Sequence, residues 1–348
     1  MKKELLMASA LVSTLGAASV AQAVTATMAG SMKVGVEFES NDSSTTDSNT
    51  VMDQSNFNIS LSETTDGGTT ISTSFEIVDE GTVSADDDNA IKLTFTDGSA
   101  LEILNAGNAA GTHAAAIPGA SGEQGIAGTS ANSAPGDLDF AAGSTALGVE
   151  WHSAADFLAD GLKMSASFST DNGAAKAAIA RTENSWGVGA TYVTTAGDST
   201  VTISGGVADS EIATNATQAS SDKGGFNVGV VAVTGDLTIG LGYGDGDSFV
   251  YDSANTEIDG SVTKAGIKYV TGDITMALGV SNGEAKDGAF GSPGTTDDSI
   301  DSASASVTYA VASGVSAVLG YTTVDSQNEG TSITNSGSAW YVGATMSF

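Results

Sequence analysis

The sequence contains no cysteine, only two histidines, three prolines, and 11 basic residues against 42 acidic residues. The absence of cysteine excludes a disulfide scaffold, a thiolate nucleophile, an iron–sulfur cluster and cysteine-ligated zinc. Two histidines, His113 and His152, are too few for a multi-histidine metal site. A formal net charge of −31 repels phosphates, so a nucleic-acid partner is excluded.

Long hydrophobic runs are also scarce, and the one clear example lies at the start of the chain. Residues 1–23 combine two lysines, an apolar stretch and the cleavage pattern Ala21-Gln22-Ala23. We interpret them as a secretory signal that directs residues 24–348 out through the periplasm. No other run is long enough for a transmembrane helix, so any membrane role must come from strands.

Most of the remaining chain alternates apolar and polar residues with a period of two, the pattern of half-buried strands. The alternation predicts sixteen strand segments. In the first of them, one face carries Lys33 and Glu37. The opposite face is apolar and consists of Val24, Ala26, Met28, Met32, Val34, Val36 and Phe38.

The predicted strands are joined by links of two kinds. Short links such as Asp97-Gly98-Ser99 and Thr271-Gly272-Asp273 have the composition of tight turns. They alternate with long acidic links at 41–53, 79–89, 107–143, 209–223, 245–261, 283–302 and 325–337. Residues 175–182 could form a further strand, but this would break the alternation. We therefore assign 170–185 to a long loop, which places both termini at the short-link rim.

The position of the charges indicates which way the apolar face points. A soluble β-sandwich would turn that face inward, whereas a transmembrane barrel turns it towards lipid and lines its lumen with the polar face. The predicted lumen-facing charges are spread over the whole chain, and no central apolar-face position is charged. The sequence thus predicts an all-β, 16-stranded antiparallel transmembrane β-barrel. Besides three lysines considered below, its lumen wall carries Glu37, Glu76, Glu102, Glu150, Lys264 and Lys268.

The chain resembles the Gram-negative general porins, particularly the sixteen-stranded alphaproteobacterial type. The resemblance is most specific in the opening strand at 32–36, in the hairpin at 93–103 and in the aromatic last strand, which contains Trp340 and ends on Phe348. It implies a homotrimer in the outer membrane that passes small hydrophilic solutes and ions by diffusion. It also implies that the outer-membrane assembly machinery recognises Trp340 and Phe348.

In that family the loop after the fifth strand folds into the barrel and narrows the pore. The resemblance therefore implies that 107–143 is the constriction loop, and its many small residues would let its backbone lie against the wall. The alternative is a flexible external loop. The candidate constriction residues are the wall lysines Lys33, Lys92 and Lys163 opposite the loop acids Glu123, Asp137 and Asp139. Each lysine could instead lie away from the narrowest point.

The acidity of the long links predicts a preference for cations, because rings of carboxylates attract them. Two acidic clusters could also bind Ca²⁺ through several oxygens: Asp86-Asp87-Asp88, and Asp245 with Asp247. Neither has EF-hand spacing, and a solvated acidic loop is the alternative. No cofactor besides calcium is expected.

Three other functions compete with that of a general diffusion pore. An enzyme inside the barrel would need a nucleophile beside His113 or His152, and no such motif accompanies either residue. A substrate-specific porin would carry an aromatic or arginine track, which the polar face lacks. A secreted or surface-attached acidic β-rich adhesin fits the composition and remains the alternative, although no fixed repeat is present.

Overall fold

The structure, a computed structural model, describes residues 24–41, 48–79, 83–85, 90–104, 106–120, 147–170, 181–213, 220–251, 257–285, 298–328 and 333–348. The predicted signal at 1–23 lies outside these residues. The first eight strands are β1 (Thr25–Asn41), β2 (Ser48–Thr64), β3 (Thr70–Asp79), β4 (Val83–Ala85), β5 (Ile91–Thr94), β6 (Ala100–Ile103), β7 (Leu147–His152) and β8 (Leu162–Thr170). The others are β9 (Arg181–Ala196), β10 (Ser199–Ala213), β11 (Ser220–Thr234), β12 (Leu237–Tyr251), β13 (Glu257–Thr271), β14 (Ile274–Ala285), β15 (Asp298–Ala312), β16 (Val315–Asn328) and β17 (Ile333–Ser347). A short helix, α1 (Ala109–Thr112), lies between β6 and β7.

These strands form one closed antiparallel sheet with sixteen positions. The seventeen strands fill sixteen positions because β4 and β5 pair with β3 one after the other along its length. The sheet closes where β1 pairs with β17, and the backbone of Phe348 exchanges two hydrogen bonds of 3.0 Å with Gly30. Among the described strands, this pairing removes the two terminal edges that an open sheet would have, which is the condition for strands in lipid. The predicted sixteen-stranded barrel is confirmed.

The barrel is inside out compared with a soluble protein. Its apolar face points outward, as at Leu241, which is 53% exposed. The polar face points into the lumen, where Glu37 and Glu150 are buried. Among the residues described, no helix is long and apolar enough to cross a membrane. The predicted orientation of the two strand faces is therefore correct.

Aromatic residues mark the two edges of the outward apolar band. Tyr192, Tyr269 and Tyr309 point outward near the short turns. Trp186 and Trp340 point outward towards the opposite rim, and Trp340 packs against Tyr321 with ring centroids 4.5 Å apart. Aromatic girdles of this kind flank the lipid-facing band of outer-membrane barrels.

Several strands are longer than the alternation predicts. In the predicted long link 209–223, β10 continues to Ala213 and β11 begins at Ser220. Similarly, β9 begins at Arg181, inside the stretch 170–185 that we assigned to a loop. The periodic signal ends at the edge of the apolar band, where the outward face also meets water. Backbone pairing does not depend on that signal, so the strands continue beyond it.

Candidate functional site

Residues 106–120 leave the rim after β6 and lie inside the barrel. They include α1, whose Ala109 and Ala110 are fully buried against β8, β9 and β10. The side chain of Asn108 caps the helix by accepting a hydrogen bond of 3.1 Å from the backbone N–H of Gly111. We call residues 106–120 the inner segment. Its residues 107–120 are the described part of the predicted constriction loop 107–143, and 121–143 lie outside the described residues.

Glu150 on β7 holds the start of the inner segment. One carboxylate oxygen accepts a hydrogen bond of 3.0 Å from the backbone N–H of Asn108, and the other accepts one of 2.7 Å from the Thr112 hydroxyl. The Glu150 side chain is buried, with 3% exposure. Because hydrogen bonds to a charged acceptor are about twice as strong as neutral ones, this carboxylate is the strongest anchor described.

Two neutral contacts extend this attachment along the wall. The Ser167 hydroxyl of β8 accepts a hydrogen bond of 3.0 Å from the backbone N–H of Ala109. The side-chain amide of Asn227 on β11 donates one of 3.0 Å to the carbonyl of Ala110. Both wall residues are buried, so the helix covers them.

Both histidines of the chain meet at a single serine. Nε2 of His113, on the inner segment, and Nδ1 of His152, on β7, each lie 2.9 Å from the Ser165 hydroxyl. The other ring nitrogen of His113 lies 2.7 Å from the Thr191 hydroxyl. Burial lowers the pKa of His113, and nearby His152 and Lys163 lower it further. The docked position therefore favours the neutral form of His113.

This cluster has the residue types of a hydrolytic triad, since Nε2 of His152 also lies 3.4 Å from Oε1 of Glu102. Its geometry does not suit catalysis. Ser165 is only 3% exposed, and its hydroxyl is shared between two imidazole rings. A nucleophilic hydroxyl must reach a substrate carbonyl, and the docked inner segment covers this one. The cluster joins the segment to the wall.

The predicted constriction lysines lie on the lumen side of three separate strands. Lys92 on β5 forms an ion pair of 2.6 Å with Glu102, whereas Lys163 on β8 pairs in register with Thr191, beside His113. In the sheet register, Lys33 on β1 lies opposite Gln54 of β2 and Thr345 of β17, away from the inner segment. The predicted acidic partners Glu123, Asp137 and Asp139 lie outside the described residues. Their opposition to the lysines stays a prediction.

The other predicted wall residues occupy lumen-facing positions. Glu102 and Glu150 are neighbours in register and belong to the cluster around His152. Glu37 and Glu76 lie on β1 and β3, and Lys264 and Lys268 lie on β13. This wall is therefore mixed in charge.

The calcium predictions concern mostly residues outside the described part. Asp86, Asp87 and Asp88 are outside it, and of Asp247 only the backbone is described. Asp245 belongs to β12 rather than to a loop, and it accepts a hydrogen bond of 2.7 Å from the Tyr243 hydroxyl. Within the described ranges, no group of three or more His, Cys, Asp or Glu side chains is arranged to hold a metal ion.

At the closing seam, Trp340 and Phe348 both have exposed side chains. The Phe348 ring lies over Gly30, where an added Cβ would be 2.3 Å from the ring. Their proposed recognition by assembly machinery stays a prediction.

The sequence did not identify the residues that hold the inner segment. Ser165 and Ser167 were unremarkable polar positions on a strand, and Asn227 lies 117 residues from its partner Ala110. The available signal was a run of small polar residues, Ser165, Ser167 and Ser169, facing the lumen next to a loop rich in alanine. Small side chains on both surfaces permit such close approach.

Comparison with known proteins agrees with this geometry. A family model described as Gram-negative porin matches residues 8–330. A search of curated protein sequences gave no match.

Similar solved structures cover nearly the whole chain at low sequence identity. The anion-selective porin from Comamonas acidovorans is 12% identical with a TM-score of 0.64, covering 93% of this chain and 100% of its own. The trimer form of the outer membrane protein OmpT of Vibrio cholerae is 15% identical with a TM-score of 0.62, covering 94% and 100%. The outer membrane channel DcaP of Acinetobacter baumannii is 12% identical with a TM-score of 0.63, covering 95% and 99%. These similarities concern the fold.

Proposed function

Because the chain belongs to the family of Gram-negative porins, we propose that it forms a water-filled outer-membrane channel for passive diffusion of small hydrophilic solutes and ions. The observation that carries this proposal is the inside-out barrel with an inner segment along its wall. A sixteen-stranded barrel is too wide for side chains to fill. A segment lying on the wall leaves the rest of the lumen to water.

We further propose that the channel prefers cations. The described wall itself is balanced, because Glu37, Glu39, Glu76, Glu102 and Glu150 face the lumen together with Lys33, Lys92, Lys163, Lys264 and Lys268. Outside this wall and the predicted signal at 1–23, the chain contains 42 − 1 − 5 = 36 acidic and 11 − 2 − 5 = 4 basic residues. Acidic residues at the mouths would concentrate cations before they enter.

The assembly follows from the same family assignment. We propose a homotrimer in the outer membrane, surrounded by lipid, since one of the similar structures is a trimer. Export through the periplasm and recognition of Trp340 and Phe348 by the assembly machinery are part of this proposal.

Single-channel recording from the purified mature protein in planar bilayers, with a KCl gradient across the membrane, tests the proposal. We expect stepwise, ohmic openings, in groups of three for a trimer, and a reversal potential of the sign given by cation preference. A reversal potential of the opposite sign would refute the cation preference and leave the channel standing. A folded, β-rich sample that never opens channels would refute the channel itself.

We propose no catalytic role, because the covered Ser165 is the only hydroxyl placed between the two histidines in the described residues. The adhesin alternative is not favoured by the family assignment.

A further inference from the structure

From α1 to Gly119, the inner segment lies on inward-facing glycines of the barrel wall. Gly189 and Gly206 lie beneath α1, and Gly229 lies beneath Ala115. Gly240, Gly266 and Gly279 lie beneath residues 117–119. These glycines come from the successive strands β9 to β14, so the segment advances across the wall strand by strand. We call the six glycines the seat.

The seat carries residues 115–119, which begin with a tight turn in which the backbone N–H of Ile117 donates a hydrogen bond of 2.9 Å to the carbonyl of Ala115. From Ala115 over β11 to Gly119 over β14 the segment crosses three strand spacings. At about 4.8 Å each, these amount to roughly 14 Å. The stretch therefore follows the wall from strand to strand over this distance.

At five of the six positions, all except Gly279, a side chain would occupy the place of the segment. A Cβ added to Gly229 would lie 2.2 Å from Cβ of Ala115, and one added to Gly206 would lie 2.5 Å from Cα of Ala110. At Gly266 the added atom would lie 1.6 Å from the carbonyl oxygen of Pro118. Carbon atoms in contact are normally about 3.5–4.0 Å apart. Glycine inside a strand weakens the strand, and it commonly marks a close approach of another backbone.

We infer that the glycine seat sets the distance of the inner segment from the wall, and thereby the free cross-section of the pore. This inference rests on the proposed channel function. The hydrogen bonds at Glu150, Ser167 and Asn227 fix where the segment is attached. The seat fixes how deeply it lies, since each glycine lets the segment come closer than any other residue would allow.

The test compares the conductance and the polymer-exclusion limit of Gly229→Ala and Gly229→Val with those of the wild type. We expect both quantities to fall, more for valine than for alanine, because the segment is pushed towards the pore axis. Gly224→Ala is the matched control on the same strand, where an added Cβ would come no closer than 3.4 Å to any neighbour. Heat-modifiable gel mobility reports separately that each barrel is folded.

A compensating change distinguishes a displaced segment from a damaged barrel. Ala115→Gly removes the atom nearest to the Cβ of Gly229→Ala, and the next neighbour, the carbonyl oxygen of Leu241 at 3.1 Å, requires a shift of only a few tenths of an ångström. The double variant should therefore recover wild-type conductance and exclusion limit, even if Gly229→Val does not fold. Gly229→Ala with conductance equal to that of Gly224→Ala, or a double variant without recovery, would overturn the inference. If wild-type protein forms no channels, it is instead the proposed function that fails.

Discussion

Removal of the Glu150 side chain should detach the start of the inner segment from the barrel wall. In Glu150→Ala, the backbone N–H of Asn108 and the hydroxyl of Thr112 lose their acceptor. We expect the barrel to fold, because the closed sheet does not depend on this side chain. The start of the inner segment should detach from the wall more often.

The magnitude follows from the two hydrogen bonds. A hydrogen bond to a charged group contributes about 1.5–3 kcal/mol, so the pair contributes about 3–6 kcal/mol to docking. Lumen water can partly replace the lost acceptor, so we expect the lower end, about 3 kcal/mol. Since every 1.4 kcal/mol is a factor of ten, the undocked population should rise about 100-fold.

Hydrogen exchange measured by mass spectrometry on the folded protein is the appropriate assay, because it reports local opening directly. Peptides that cover 106–113 should lose protection by about the same factor, whereas β10 to β16 should not change. Glu76→Ala is the matched control, since it removes an equal lumen charge from β3, away from the segment. If hydrogen exchange in 106–113 rises less than threefold in Glu150→Ala, or rises equally in Glu76→Ala, the anchoring role of Glu150 is refuted.

Three further predictions follow from the same structure. The docked segment holds His113, with a lowered pKa, among His152, Glu102, Glu150 and Lys163. Docking should therefore be strongest above the usual histidine pKa and weaken as the pH falls below it. Open-channel current noise should rise as the pH falls below about 6.5 in the wild type, and a similar rise in His113→Gln would contradict this origin. Leu278→Arg, on the lipid face of β14, should lower the free energy of unfolding of the barrel in vesicles, measured by urea titration, by about 2–4 kcal/mol. Thr275→Arg, which faces the lumen on the same strand, should lower it much less. Equal decreases in the two variants would refute the assigned faces. Lys163→Glu should shift the reversal potential in a KCl gradient further towards that of K⁺, and no shift would show that Lys163 lies away from the ion path.

The fold was predictable because lipid and water act on opposite faces of each strand. Leu241 and Tyr243 alternate with Gly240 and Gly242, and the same alternation recurs around the barrel. At Ser210 and Glu211 no such contrast exists, because both side chains are polar although they lie on opposite faces of β10. The pattern therefore located the membrane-spanning part of each strand correctly, but not its end. Similarly, the short β4 left no periodic signal of its own.

The candidate site was predictable only in outline. The composition of 107–143 indicated a segment able to lie close to a wall, but not where it would attach. Glu150 was recognised as a wall residue, yet its partner Asn108 is 42 positions away, and their contact depends on how the chain turns inward after β6. The meeting of His113 and His152 at Ser165 likewise requires the pairing of β7 with β8. Contacts of this kind arise from register and chain path, which no local pattern encodes.

The inner segment is held by two different physical means along its length. Its described hydrogen bonds to the wall lie within 108–113, whereas 115–119 are positioned by the shape of the glycine seat. Polar anchors respond to pH and to the loss of a charge, but steric fit does not. Glu150→Ala should therefore raise hydrogen exchange in 106–113 and leave 115–119 nearly unchanged, while Gly229→Ala should have the opposite distribution. Uniform loss of protection in both variants would mean that the segment docks as one cooperative unit, and the separation of anchor from seat would then be wrong.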